Sequence, residues 1–144
     1  MSSNPFSSGS HPRDGALRVA ISGKSGCGNS TVSKLVAKML GIRMINYTFR
    51  TLAEEQGVSF REMRQMAEED PRWDQLVDRR QREMALEGSC VLGSRLAVWV
   101  LRDEADLRVF LDASEEERAR RIQQREGGTF AEKLNETRRR DYDD

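Results

Sequence analysis

Ala20-Ile21-Ser22-Gly23-Lys24-Ser25-Gly26-Cys27-Gly28-Asn29-Ser30-Thr31 is the stretch that decides the fold. It follows the Walker A phosphate-binding pattern GxxxxGK[ST], except that asparagine stands where lysine is required. Its flanks fit the pattern. Leu17-Arg18-Val19-Ala20-Ile21 reads as a short apolar strand, and Thr31 to Leu40 reads as an amphipathic helix. Gly23, Gly26 and Gly28 allow backbone dihedrals closed to other residues, so that successive N–H groups converge on one anion at a helix N-terminus. Ser30 would offer its hydroxyl to Mg²⁺. The consensus lysine would bring a mobile cation to the β- and γ-phosphates, where Asn29 supplies only a neutral hydrogen bond. Lys24 has a long flexible stem that can fold back over a phosphate. The alternative for Lys24 is a solvated loop lysine.

The rest of the chain bounds the setting. With 144 residues, 24 basic and 24 acidic, it fits one domain and has no global bias toward nucleic acid or an anionic membrane. Cys27 and Cys90 lack metal or disulfide spacing and suit a reducing compartment. No apolar run approaches a membrane span, and no signal peptide is visible, so a cytoplasmic protein is expected. Residues 1–16, rich in Ser, Gly and Pro, are expected to be a disordered lead-in containing His11 as a passive residue.

Downstream, Val32, Leu35, Val36, Met39 and Leu40 recur at helical spacing and Gly41 stops the helix. A short strand over Arg43 to Ile45 follows, then helices opened by Thr48, by Ser59-x-x-Glu62 and by Asp70-Pro71, the last running to about Glu87 with Trp73, Leu76, Val77 and Met84 on its core face. Cys90 to Leu92 and Leu107 to Leu111 read as buried strands, separated by a short helix over Leu96 to Leu101. Ser114-x-x-Glu117 and Thr129-x-x-Glu132 open two final helices. Strands alternating with helices imply an α/β fold, a parallel sheet flanked by helices. Ligands then sit at the carboxyl ends of the strands, where the loop after Ser22, the Arg95 turn and the Asp112 turn would face one cleft.

The last third of the chain concentrates arginine. Arg118, Arg121 and Arg125 share one helix face, and Arg138, Arg139 and Arg140 lie on the next helix. Guanidinium groups suit phosphoryl transfer, because charge builds on the equatorial oxygens and arginine clamps them bidentately. A salt-bridged solvated helix is the other reading, since Glu115, Glu116, Glu117 and Glu126 are interleaved. Arg95 follows a buried strand through a Gly93-Ser94 turn, and Arg50 opens the helix after the second strand; both are candidates to meet an acceptor phosphate.

These pieces together resemble the cytidylate kinase-like branch of the nucleoside monophosphate kinases. The resemblance runs from about Leu17 to the C-terminus through Ile21-Ser-Gly, Phe49-Arg50, Ala67-Glu-Glu-Asp-Pro71, Asp78-Arg-Arg-Gln81, Ser94-Arg-Leu-Ala97 and Arg118-x-x-Arg121-Ile-x-x-Arg125-Glu126. It implies a P-loop NTPase-type kinase domain over residues 17–144, with a helical monophosphate-binding insert over about 47–88 and a partial arginine-bearing lid over about 118–144. It further implies transfer of the ATP γ-phosphoryl to CMP or dCMP with Mg²⁺. Residues Gly23 to Thr31 would hold ATP, Arg50 and Arg95 the acceptor phosphate, and Lys24, Arg121, Arg125 and Arg140 would serve the transferring phosphoryl. No polymeric nucleic acid and no membrane are expected as partners. Tyr47 stands where many relatives carry an acidic residue. The chain stops at Asp144 inside the expected lid, where relatives continue with more lid, a fifth strand and a closing helix. The expectation is a fragment or a reduced relative, with an open sheet edge that costs stability or requires a partner, self-association included. The alternatives to a cytidylate-type kinase are a catalytically impaired nucleotide-binding or regulatory relative and another small-molecule P-loop kinase.

Overall fold

The turn and cap signals set most of the element boundaries. The computed structural model describes residues 15–143, so the expectations for residues 1–14, including His11, lie outside it. Along the chain run β1 (Arg18–Gly23), α1 (Asn29–Leu40), β2 (Arg43–Met44), α2 (Phe49–Gln56), α3 (Phe60–Glu69), α4 (Arg72–Leu86), β3 (Cys90–Gly93), α5 (Ala97–Val100), β4 (Leu107–Leu111), α6 (Glu115–Glu126) and α7 (Phe130–Asp143). Ser59 accepts from the Glu62 N–H at 3.1 Å and Ser114 from the Glu117 N–H at 3.1 Å, as their positions three residues upstream require. At the start of α7 the box closes both ways, with Glu132 N–H on Thr129 Oγ1 at 3.1 Å and Thr129 N–H on Glu132 Oε2 at 3.4 Å.

The four strands form one parallel sheet in the order β2-β3-β1-β4. Parallel strands need crossovers, and the helices that make them cover the faces. On one side α1 meets Val19, Ile21 and Val91, with Val109 and Leu111 at the margin. On the other, Ala20, Cys90 and Leu92 join Leu52, Met63, Val77, Ala85, Ala97 and Leu101 from α2 to α5. Trp73, Leu76 and Met84 pack against that second cluster, which is the core role their spacing predicts. Among the described residues no helix is long and apolar enough to cross a membrane.

Three details depart from the sequence reading. Only part of the apolar stripe of α1 meets the sheet: Val32 and Val36 pack against it beside the buried Ser33 and Ala37, whereas Leu35 and Met39 are 53% and 83% exposed. Small side chains at the crossing let helix and sheet approach closely, and that approach sets the rotation of the helix. Next, β4 is not a buried strand. It pairs with β1 at the sheet edge, which leaves Leu107 and Phe110 more than half exposed. Finally, Arg18 is fully buried inside β1. Its Nε donates to Ala85 O at 2.7 Å and its Nη2 to Leu86 O at 3.3 Å, while Arg43 on β2 donates to Met84 O and Gly88 O. Two arginines thus satisfy the last carbonyls of α4 and place cations at its negative end. Replacing Arg18 with methionine keeps much of the volume and removes these donors, leaving buried carbonyls unpaired. Urea unfolding of the variant is expected to show a loss of about 2 kcal/mol.

Candidate active site

β1 ends at Gly23 and the chain turns through Gly26, at φ +81°, and Gly28, at φ +84°, into α1. These left-handed positions fold successive amides toward one point. α1 also starts differently from α2, α3 and α6, whose caps Thr48, Ser59 and Ser114 accept from their own first turns. It has no side-chain cap and no acidic residue in its first turn. Its first amides and the positive end of its dipole are therefore left for an anion.

A cleft of about 290 Å³ opens over this loop, lined by residues 23–31 with Gly93, Ser94, Arg95 and Arg125. The structure thus gathers the whole loop expected to bind ATP, including Lys24 and Ser30, with one arginine from the turn after β3 and one from α6. The end of β4 contributes differently from expectation. Asp112 does not line the cleft; the strand instead places Leu111 beside Gly23 and leads into α6, which carries Arg125.

The three arginines of one α6 face have three different settings. Arg118 is buried, donating through Nη1 and Nη2 to Asp141 of α7 at 2.8 and 2.5 Å, through Nε to Ala113 O at 3.2 Å and through Nη1 to Ser25 O at 3.4 Å. Arg121 is exposed, donating to Gly26 O at 3.2 Å and pairing with Glu117 at 3.3 Å. Arg125 lines the cleft and pairs with Glu126 at 3.4 Å. The first turn of α6 therefore docks on the phosphate loop itself. Arg118 is the fastening, and the Asp141 that completes it was not singled out in the sequence, since a partner 23 residues away has no local signature. The Arg118 hydrogen bonds hold the Asp141 carboxyl below the usual range against the opposing effect of burial, with the Arg118, Lys24 and Arg95 charges also favouring the carboxylate.

Arg50 and Arg140 are not among the residues that line this cleft. The Arg50 guanidinium lies over the Phe60 ring, 4.1 Å from its centroid, a cation–π contact that ties α2 to α3. Arg140 lies on α7, beside Asp141 in sequence. Nearby in the chain, Tyr47 is buried and donates to Glu55 at 2.8 Å; burial and that bond push its phenol above the ordinary value. Gln81 of α4 donates to Tyr47 O at 2.8 Å, so the α2 to α4 segment is braced on the chain just after β2.

Asn29 lines the cleft, but its side chain is engaged within the protein: Nδ2 donates to Ile21 O at 2.9 Å and Ser94 O at 3.4 Å, and Oδ1 accepts from Ser33 at 2.8 Å. What remains of Asn29 for a ligand is its backbone, at the first position of α1. For Mg²⁺ the fit is partial. Among the described residues no group of three His, Cys, Asp or Glu side chains could hold an ion unaided, whereas the exposed Ser30 lines the cleft on the first turn of α1. That donor set suits a cation that arrives already bound to phosphates and takes one hydroxyl.

A parallel sheet carrying a glycine phosphate loop at the end of its central strand, with arginines from two other elements over that loop, defines a P-loop kinase. Comparison with solved structures agrees on the fold. A shikimate kinase from Bacteroides thetaiotaomicron superposes with a TM-score of 0.63 at 17% identity, covering 85% of this chain and 75% of that one. A Thermus thermophilus protein superposes with a TM-score of 0.60 at 20% identity, over 90% and 80% of the two chains. The chain belongs to the cytidylate kinase-like family, which it matches over residues 18–142. It is 42% identical over 131 residues to cytidylate kinase 2 of Borreliella afzelii, covering 89% of this chain and 73% of the relative. It is 45% identical over 120 residues to a cytidylate kinase of Ignicoccus hospitalis, covering 82% and 70%.

Proposed function

We propose that the chain transfers the γ-phosphoryl of ATP to CMP or dCMP, giving ADP and the nucleoside diphosphate. An oxygen of the acceptor phosphate attacks the γ-phosphorus, the bond from that phosphorus to the bridging oxygen of ADP breaks, and no covalent enzyme intermediate forms. The observation that carries this reading is the one cleft in which the loop 23–31 meets Arg95 and Arg125.

The work of the chain is positioning and charge compensation. Loop amides from Gly23 to Thr31 hold the donor phosphates, and the dipole of α1 favours their charge. Mg²⁺, held by the phosphates and the Ser30 hydroxyl, would supply further charge neutralisation there. Lys24 and Arg125 face the γ-phosphoryl, with Arg121 beside the loop on Gly26; Arg140, on α7 and outside the cleft lining, would add its charge from the lid. Arg95 receives the acceptor phosphate from the end of β3, and Arg50, held by Phe60, meets it from α2. Residues of about 47–88 form the acceptor insert and the α6–α7 hairpin forms the lid. The names carried by the relatives support cytosine as the base. With ATP and a nucleoside monophosphate as substrates, the protein belongs in the cytoplasm.

A coupled assay of ADP release with Mg·ATP and a panel of CMP, dCMP, UMP and AMP tests the proposal. CMP or dCMP is expected to be the best acceptor, and Arg95→Ala is expected to lower kcat/KM for it by about a hundredfold or more, the loss of a charged contact to the reacting phosphate. Mg·ATP binding with no acceptor-dependent release from the unaltered chain would replace the kinase with a nucleotide-binding module.

A further inference from the structure

The residue in the lysine position of the loop is fully occupied, and its partners are structural. Both donations of Asn29 Nδ2 go to main-chain carbonyls, one on β1 at Ile21 and one at Ser94 in the turn after β3. The Oδ1 takes the Ser33 hydroxyl from one turn further along α1. The space around this group is closed from the far side by Gly93: a methyl group there would lie 2.6 Å from Asn29 Oδ1 and 2.1 Å from Ser33 Oγ, distances that no side chain tolerates. Asn29, Ser33 and Gly93 therefore interlock α1 with β3 where the strand ends.

Arg95 follows Ser94 directly. The Ser94 N–H bonds Ile21 O at 3.1 Å, and the Val98 N–H bonds the hydroxyl of Ser22, fully buried at the end of β1, at 3.0 Å. Asn29 adds the link that runs from the phosphate loop itself. It joins the carbonyl before Arg95 to the helix whose first amides face the donor phosphates. We propose that Asn29 is a positioning residue: it does not stand in for the lysine at the phosphates but ties α1 to the β3 turn, so that Arg95 is held in register with the phosphate loop. The consensus loop spends this position on a cation; this chain spends it on the spacing between two phosphate sites and leaves the loop cation to Lys24.

The inference rests on the kinase reading for its kinetic consequences, and Asn29→Lys separates the possibilities. A lysine restores the consensus cation and withdraws the Asn29 amide from both carbonyls, leaving Ile21 O with the Ser94 N–H alone. Transfer assays on the unaltered chain and on Asn29→Lys are expected to show the KM for the acceptor rising about tenfold and kcat falling, with the KM for ATP unchanged or lower. Asn29→Asp, which can still accept from Ser33 but cannot donate to the carbonyls, is expected to give the same split. A gain in kcat for Asn29→Lys with an unchanged acceptor KM would overturn the proposal, as would equal rises in both KM values for Asn29→Asp. Amide hydrogen exchange reports the link without turnover. Ser94 and Arg95 are expected to exchange faster in Asn29→Asp, while β1 residues such as Val19 keep their protection. If the unaltered chain transfers no phosphoryl group, the kinase reading fails and the exchange at Ser94 and Arg95 alone decides on Asn29; unchanged exchange there would sink the link.

Discussion

Gly26→Ala is expected to abolish useful nucleotide binding. Gly26 sits at φ +81°, where an L side chain is strained, and a methyl group built on it would lie 2.7 Å from the Arg118 carbonyl oxygen and 2.9 Å from the Arg118 Cβ. Backbone must move, because the obstacle is the main chain at the first turn of α6 and not the end of a flexible side chain. The two costs, a non-glycine residue in the left-handed region and a displaced contact, add to about 3 kcal/mol. Charged to the phosphate-binding geometry, that is about a hundredfold in ATP affinity. Titration calorimetry with Mg·ATP checks it. The same glycine explains why α6 can lie on the loop at all: a larger residue would hold the Arg118 segment away and carry Arg125 out of the cleft.

The second large effect is on stability. Arg118 and Asp141 form a bidentate pair whose side chains are 4% and 14% exposed. Removing one partner leaves the other charge buried, so Arg118→Leu or Asp141→Ala is expected to cost about 3 kcal/mol. The pH dependence has a definite sign. The Asp141 carboxyl is held below its usual value by the Arg118 hydrogen bonds, so its contribution is present above the ordinary carboxylate range of about 4 and is lost as pH falls through the lower folded value. Urea midpoints measured at several pH values are expected to fall more steeply below about pH 4 in the unaltered chain than in Asp141→Asn. Parallel curves would show that the pair contributes no such linkage.

The sequence made the sheet and its helices readable because the signals are local. Ser59, Ser114 and Thr129 each announce a helix three residues before its Glu, and Leu107 to Leu111 is bounded by turns on both sides. The phosphate loop was readable for the same reason. What was not readable depends on which surfaces meet. Of the stripe Val32, Leu35, Val36, Met39 and Leu40, Val32 and Val36 reach the sheet, but the close crossing at Gly93 turns Ser33 inward and leaves Leu35 and Met39 exposed. Arg118 looked equivalent to Arg121 and Arg125 by spacing, and only the docking of α7 separates a buried fastening from an exposed arginine on the Gly26 carbonyl and a third that lines the cleft. Nothing local in Leu17-Arg18-Val19-Ala20-Ile21 announces that Arg18 is buried, because its partners are the carbonyls at the end of α4. Asn29 reads as a weakened lysine because its carbonyl partners at Ile21 and Ser94 lie 8 and 65 residues away.

Movement of the γ-phosphoryl group from ATP to CMP is the most direct test. The chain, Mg²⁺ and ATP labelled at the γ-phosphate would be incubated with CMP and the products separated. The expected result is label in CDP, with ADP formed in equal amount and both lost in Arg95→Ala. Label released only as inorganic phosphate, or retained in ATP while the nucleotide binds, would contradict it.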